Sequence, residues 1–506
     1  MAVFESGDKM RAPMKIYRGT IINPLNSKKC EFFVDGGLVV DSGSDLGMSG
    51  VGWSGGASGS GSSGAGRGTN SSGASADSCG KIVEIGDFKK IFKKYARRSE
   101  LSAKKPEKKL GKNHIVGDVV VDTGGVILPA FTDVHLHWVQ NRVKGSFHEV
   151  ILHWLRDHIW PEEAKFKNTK YAEKMVDGFY KELLKNGTKN AMIYSSVHKE
   201  ATEIAIKKGL KFGNFIIGNV LMDQHSPANL QMTTKDEIKL VEYFAKKYGK
   251  KYAVTPRFAP TCSMTLMKKV AQMAKKHGCY VQTHLSEHLA EVHLVQLLFS
   301  EQKSYTEVYE KAGLLGEKTI LGHCIHMKEN EWKILKKSGA AVAHCPTSNM
   351  ALGSGRMPVE KLLKYKIPYA LATDIGAGPH LSMIDVMREY VFVHSKAREL
   401  SKTMANGTNY SGLRIPKITA IDALYRATLA GAQLMQIDKN HGNLKKGKSA
   451  EFVVIKNPSV VDFVAWASKR GKAASNGSAP LEVMAESVLQ SIVRIPCEKI
   501  KLMLIS

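Results

Sequence analysis

Val126-Ile-Leu-Pro-Ala-Phe-Thr-Asp-Val-His-Leu-His137 is an apolar run that ends in two histidines one residue apart. In a β-strand, residues i and i+2 project from the same face, so the imidazoles of His135 and His137 can reach one point in space. A metal ion is the usual occupant of such a point, because neutral imidazole is a common ligand for zinc and similar ions. Among 18 histidines in 506 residues the pair alone is weak evidence. Its meaning depends on the rest of the chain.

Downstream, short apolar strands alternate with amphipathic helices. The strand-like segments are Asn190-Ala-Met-Ile-Tyr, Phe215-Ile-Ile-Gly-Asn-Val-Leu, Ala253-Val-Thr-Pro-Arg-Phe, Tyr280-Val-Gln-Thr-His, Thr319-Ile-Leu-Gly-His, Ala341-Val-Ala-His and Tyr369-Ala-Leu-Ala-Thr-Asp. With the run ending at His137 they number eight. Eight such units predict an α/β fold, a (β/α)8 barrel over residues 130–437 with its active site at the carboxyl ends of the strands.

The flanks read differently. Residues 14–40 form short strands, residues 80–87 a returning hairpin strand, and Gly442 to Lys456 is strand-like again. Residues 1–129 and 438–506 are therefore expected to build one small β-sandwich domain together. The Gly/Ser-rich tract at about 41–79 cannot build a core and is expected to be a disordered loop insertion. Gly59-Ser-Gly-Ser-Ser-Gly64 within it matches the dinucleotide fingerprint, but no strand leads in and no helix follows. In the basic segment 88–112, Phe88, Ile91, Phe92 and Tyr95 mark a short amphipathic helix. Docking on its own protein is the expectation; attachment to an acidic surface is the alternative.

Composition narrows the class. A length of 506 fits two or three domains, or one large barrel with additions, and 43% hydrophobic residues support a packed core. No apolar run approaches a membrane-spanning length and no apolar segment opens the chain, so neither a membrane span nor a secretory signal is expected. Seven cysteines (30, 79, 262, 279, 324, 345 and 497) lack Cys-x-x-Cys spacing, which suits free thiols in a reducing cytoplasm. The net charge of +26 invites a nucleic-acid partner, yet residues 89–112 alone hold eleven Lys/Arg against Glu100 and Glu107. The remainder sits as lysine pairs along helical stretches without interleaved aromatics, so no specific nucleic acid is expected.

The predicted strands end in chemistry. The first ends in His135 and His137, the fifth in His284, the sixth in His323 and the eighth in Asp374. Three imidazoles and a carboxylate at strand ends suit Zn²⁺ or Fe²⁺. Glu287, three residues past His284, should reach the same cavity, where a carboxyl could move protons; a helix N-terminal charge is its plainer role.

This arrangement resembles the amidohydrolase superfamily, with Pro129-Ala-Phe-x-Asp-x-His-x-His137 on strand one, histidines on strands five and six, and an aspartate on strand eight. Strand four, Val254-Thr-Pro-Arg-Phe-Ala, lacks the bridging lysine of binuclear members, which implies a mononuclear site, one Zn²⁺ per subunit with Fe²⁺ as the other option. By that resemblance His135, His137, His284 and Asp374 would be the ligands, with His323 beside the reacting water. Thr255-Pro-Arg-Phe-Ala-Pro-Thr-Cys-Ser, Gln282-Thr-His-Leu-Ser-Glu, Ala343-His-Cys-Pro-Thr-Ser-Asn and His153-Trp-Leu-Arg-Asp-His-Ile-Trp-Pro-Glu-Glu are similar to the guanine deaminase branch, over roughly residues 115–456.

The resemblance implies hydrolysis of guanine to xanthine and ammonia in purine catabolism or salvage, by a cytoplasmic enzyme that is a homodimer like its relatives. Glu287, His323 and Asp374 would be catalytic. Gln140, Arg257 and Phe258 would read the base, with His284, Glu287 and Asp374 also against substrate. Arg257 can donate to the O6/N7 edge and Phe258 offers a stacking face. Asn141 departs from the branch, where an aromatic is usual, and Arg142-Val-Lys follows it; this loop is expected to shape the pocket mouth and with it the substrate range. Cys345 reads as packing rather than as a nucleophile. The alternative is a deaminase for another base in the same branch, such as 8-oxoguanine, a pterin, a cytosine-like base or an S-adenosylhomocysteine-type nucleoside. A structural protein that has lost its ligands is disfavoured, because all of them are present. The separate zinc deaminase signature needs Pro-Cys-x-x-Cys, and Pro496-Cys497 has no partner three residues on.

Overall fold

The computed structural model describes residues 14–41, 80–102, 119–147, 151–403, 414–473, 481–496 and 499–506. The Gly/Ser-rich tract, the end of the basic segment, Cys79 and Cys497 lie outside them.

Strands β1 (Met14–Pro24) and β2 (Cys30–Asp41) form an antiparallel hairpin, and β2 pairs in turn with β3 (Lys81–Asp87). The Asn26 side chain accepts from the N–H groups of Lys28 and Lys29, the local bonding that makes asparagine a turn residue. A helix, Phe88–Ser102, follows β3 directly, its start capped by Asp87, which accepts from Lys90 N–H at 3.1 Å. Its Ile91 and Tyr95 pack on Met14, Ile16 and Val39, so the apolar stripe of this basic helix is buried on the chain's own sheet. Strand β4 (Val119–Pro129) runs parallel to β1.

Pro129 leads through Ala130 straight into β5 (Phe131–His137), so the sheet anchors the base of the strand that carries His135 and His137. Next come β6 (Thr188–Tyr194), β7 (Asn214–Gly218), β8 (Val220–Leu221), β9 (Ala253–Pro256), β10 (Tyr280–Leu285), β11 (Thr319–His323), β12 (Ala341–His344) and β13 (Tyr369–Leu371). Every pairing among them is parallel. Strands β7 and β8 are two pieces of one position broken at Asn219, which leaves eight positions. The run β5-β6-β7 meets the run β8 to β13 at the Ile217–Tyr252 bridge. The circle closes where Asp374 N–H donates to the His135 carbonyl at 2.9 Å. This is a (β/α)8 barrel.

Its strands are buried on both faces, as a helix-wrapped parallel sheet requires. Neighbouring residues fall into different apolar clusters: Met192, Ile216, Tyr280, Ile320 and Ala370 in a small one, Ile193, Ile217, Val281, Leu321 and Leu371 in the large one. Two late strands, β14 (Phe452–Lys456) and β15 (Lys501–Ile505), return to the first sheet and complete the order β15-β14-β4-β1-β2-β3. Strands from both ends of the chain thus share one continuous six-stranded sheet.

Candidate active site

The carboxyl ends of β5, β10 and β11 and the segment after β13 converge on one buried point. His135 Nε2 and His137 Nε2 are 3.3 Å apart, and His137 Nε2 lies 3.2 Å from His284 Nε2. Asp374 Oδ1 stands 3.3 Å from His135 Nε2 and 3.4 Å from His137 Nε2. A tetrahedral ion with bonds of about 2.0–2.1 Å places its ligand atoms about 3.3–3.4 Å apart, so the donor set fits one zinc-sized cation. Burial and the neighbouring imidazoles hold His137 and His284 well below the usual imidazole range, which keeps them neutral as ligands must be.

Local structure aims each donor. His284 Nδ1 donates to the Arg257 carbonyl at 2.6 Å, leaving Nε2 free to face the point. A Cβ on Gly322 would sit 2.8 Å from His135 Cε1, so only glycine lets that ring lie across β11. Asp133 ties β5 to the segment after β13 by accepting from Thr373 N–H at 3.1 Å. Four non-glycine residues hold left-handed backbone here, Ser286 (φ 50), His323 (φ 70), Cys324 (φ 56) and Asp374 (φ 50), strain of the kind that collects at functional sites.

Above the cluster sits a second set of ionisable groups. His323 Nδ1 donates to Asn349 Oδ1 at 2.9 Å, so its Nε2 faces Glu287 Oε2 at 3.4 Å and Asp374 Oδ2 at 3.8 Å. Burial lowers the His323 pKa, but the Glu287 and Asp374 carboxylates outweigh it and the net shift is upward. Burial pushes the Glu287 carboxyl up to about 7, against the pull of His323. Ser354 Oγ donates to Glu287 Oε1 at 3.3 Å, and Ser348 Oγ donates to Asp374 Oδ2 at 2.6 Å.

The cavity wall carries Gln140, Arg257 and Phe258, with Ile151, Trp154 and Leu155 forming an apolar side against the Phe258 ring. Between Gln140 and Arg257 lies Glu163, almost fully buried. It accepts from Gln140 Nε2 at 2.8 Å and from Arg257 Nη1 at 2.7 Å. Its helical run contains a π-helical turn, Leu155–Ile159, an irregularity frequent at functional sites.

The sequence profile of the amidohydrolase family matches residues 126–482. Guanine deaminase of Escherichia coli (strain K12) is 33% identical over 338 residues, which cover 66% of this chain and 73% of that protein. The chain belongs to the amidohydrolase family, in its guanine deaminase branch. Among solved structures, guanine deaminase from Bradyrhizobium japonicum superposes on this amidohydrolase with a TM-score of 0.75, 25% identity and 95% of each chain covered. Guanine deaminase from C. acetobutylicum with bound guanine in the active site gives a TM-score of 0.71 at 26% identity, covering 96% of this chain and 97% of that one.

Every residue singled out from the sequence lies at this site except Asn141. The Asn141 side chain donates to Glu182 Oε2 at 2.9 Å, on the helix Thr169–Lys185, and is not among the cavity-lining residues, while Val143 of the same loop packs with Phe258 and Trp154. Cys345 is buried with its thiol pKa pushed well up by burial, in keeping with packing. Sequence reasoning assigned no role to Glu163, Ser348, Asn349 or Ser354. The first three lie inside stretches whose likeness to the branch was visible, and that likeness was the available signal.

Proposed function

We propose that this amidohydrolase removes the exocyclic amine of guanine by hydrolysis, giving xanthine and ammonia, at a single Zn²⁺ held by His135, His137, His284 and Asp374. The observation that carries the reading is Glu287: a buried carboxyl next to the donor cluster, beside His323, in a cavity whose wall is Gln140 and Arg257. A bound cation supplies Lewis acidity that brings the pKa of a water molecule toward neutrality. The residues supply the rest. His323, fixed through Asn349, orients the water, and Asp374 takes the proton that it sheds. Glu287 delivers a proton to the ring nitrogen beside the attacked carbon. A C–O bond forms there, the C–N bond to the amine breaks, and Glu287 relays the proton that lets the amine leave as ammonia.

Phe258 offers a face to the base, while Gln140 and Arg257 offer polar atoms to its edge. We assign the chain to purine catabolism or salvage, as a homodimer in the cytoplasm. The five cysteines of the described residues are free and buried, which suits a reducing compartment, and no helix among the described residues is long and apolar enough to cross a membrane. The three-part organisation, with a barrel over 130–437 between two segments of one β-domain, is part of the same proposal.

The test is ammonia release from guanine by the zinc-loaded chain and by Glu287→Gln. The variant should lose kcat by roughly a hundred- to ten-thousand-fold while still binding guanine. A wild-type chain that is inactive on guanine but brisk on another base would move the assignment to that base.

A further inference from the structure

Glu163 is a buried carboxylate that reaches no proposed metal ligand, and both of its oxygens are engaged by base-reading side chains. An ionised carboxylate only accepts hydrogen bonds, so the Gln140 atom that faces it must be the amide nitrogen. That choice turns Gln140 Oε1 the other way, beside Gly376 (φ 119), where a Cβ would stand 2.1 Å from the oxygen. Among the described residues nothing donates to this oxygen. Arg257 is equally constrained: Nη1 is bound to Glu163 at 2.7 Å, and the remaining guanidinium N–H groups have no acceptor among the described residues although the side chain is buried. One carboxylate therefore leaves an unpaired acceptor on Gln140 and a set of unpaired donors on Arg257, two side chains that both line the cavity.

We propose that Glu163 is the positioning residue that sets substrate specificity, by fixing this acceptor–donor pair to match a ring –NH–C(=O)– edge. The match rests on the reading of the site as a guanine deaminase, since guanine carries such a lactam edge, N1–H and C6=O, directly beside the carbon that bears its amine. A base with the amidine edge –N=C(NH2)– reverses both partners: its ring nitrogen would face Gln140 Oε1, lone pair to lone pair, and its amine would face the Arg257 donors. Such mismatches leave buried polar groups unpaired and are strongly rejected. The carboxylate also balances the buried guanidinium charge, so the wall stays suited to a neutral base.

The neighbouring Glu162 is buried too, but it faces away, accepting from Lys165 Nζ at 2.7 Å and from Tyr171 Oη. It is the matched control.

The experiment compares guanine with 2,6-diaminopurine, which keeps the same 2-amine but carries the amidine edge. It uses the zinc-loaded full chain as wild type, Glu163→Gln and Glu162→Gln. In Glu163→Gln the new amide can donate to Gln140 Oε1 and let that side chain invert. The kcat/KM preference for guanine should then fall by about 10- to 100-fold, mainly through KM for guanine, while Glu162→Gln keeps the wild-type preference. Equal losses on both bases, with the preference unchanged, would overturn the proposal and leave Glu163 a structural residue.

Binding of both bases is measured in parallel on the Glu287→Gln background. A chain that releases no ammonia, yet prefers guanine and loses that preference with Glu163→Gln, would sink the deaminase reading and uphold this one. Should Glu163→Gln not fold, Gln140→Met removes the same acceptor and should lower the preference likewise; an unchanged preference there would overturn the proposal.

Discussion

The floor and the wall of the cavity each hold a buried glutamate, and the two are built in opposite ways. On the floor, among the described residues, the Glu287 oxygens meet only Ser354 Oγ at 3.3 Å and His323 at 3.4 Å. With so few donors, burial dominates and raises its pKa to about 7, where a carboxyl exchanges protons near neutrality. On the wall, Glu163 has a guanidinium at 2.7 Å and an amide at 2.8 Å, bonds that fix it between its two neighbours. Identical side chains thus divide into one that moves a proton and one that holds its neighbours still. Burial alone decides neither role; the partners do.

The comparison breaks most visibly at the floor. His137→Ala removes one donor from a cluster whose atoms are 3.2–3.4 Å apart. It should abolish both the bound metal, measured by elemental analysis of purified protein, and ammonia release. Full metal content in the folded variant would show that the ion sits elsewhere. On the wall the loss should be partial and of a different kind. Gln140→Ala should raise KM for guanine about tenfold or more and disturb kcat far less, because it removes binding rather than proton transfer. A kcat loss as deep as that of Glu287→Gln would erase the distinction between the two regions.

A third buried glutamate sharpens the rule from outside the cavity. Glu237 accepts from Met222 N–H at 2.9 Å, and burial pushes its pKa up to about 8, yet among the described residues no imidazole bonds to it and it belongs to no metal-binding cluster. Its consequence is for stability. The folded state holds a proton that the unfolded chain releases above about pH 4.5, so this contribution is complete below that pH and is lost as pH rises toward 8. The slope is at most about 1.4 kcal/mol per pH unit. Glu237→Gln should flatten the pH dependence of the unfolding midpoint between pH 5 and 8 and leave kcat unchanged. An equally steep dependence in the variant would mean that Glu237 is ionised in the fold.

The floor was legible in the strand pattern, whereas Gln140, Arg257 and Phe258 of the wall were legible only through the likeness to the branch. Strand periodicity is short-range, and a histidine at the end of a barrel strand has little choice of direction, so His135, His137, His284 and Asp374 could be placed from sequence. The wall is harder because helices and turns aim its polar groups. Pro161-Glu162-Glu163 gives no sign of which glutamate faces inward, since the π-helical turn just before it shifts the helical phase. Ser348 and Asn349 act from the helix Pro346–Ala351, whose position against β11 and the Asp374 segment is a tertiary fact.

Asn141 tests the same lesson with the smallest effect. It follows Gln140 directly, and in sequence it is the one departure from the branch next to a base-reading residue. In the fold, Gln140 and Asn141 flank the end of a single 3-10 turn, and their side chains diverge: one meets Glu163 at 2.8 Å, the other Glu182 at 2.9 Å. Lys144 Nζ also donates to Asn141 Oδ1 at 3.3 Å, so this amide braces the loop against the helix Thr169–Lys185. Asn141→Ala should therefore cost about 1 kcal/mol or less of stability, the scale of a partly exposed hydrogen bond. It should leave KM for guanine within about twofold, because binding contacts that it does not make cannot be lost with it. A KM rise matching that of Gln140→Ala would place Asn141 back on the wall. A stability loss with KM intact would show that the residue nearest in sequence to the base-reading glutamine lies, in its chemistry, on the far side of the loop.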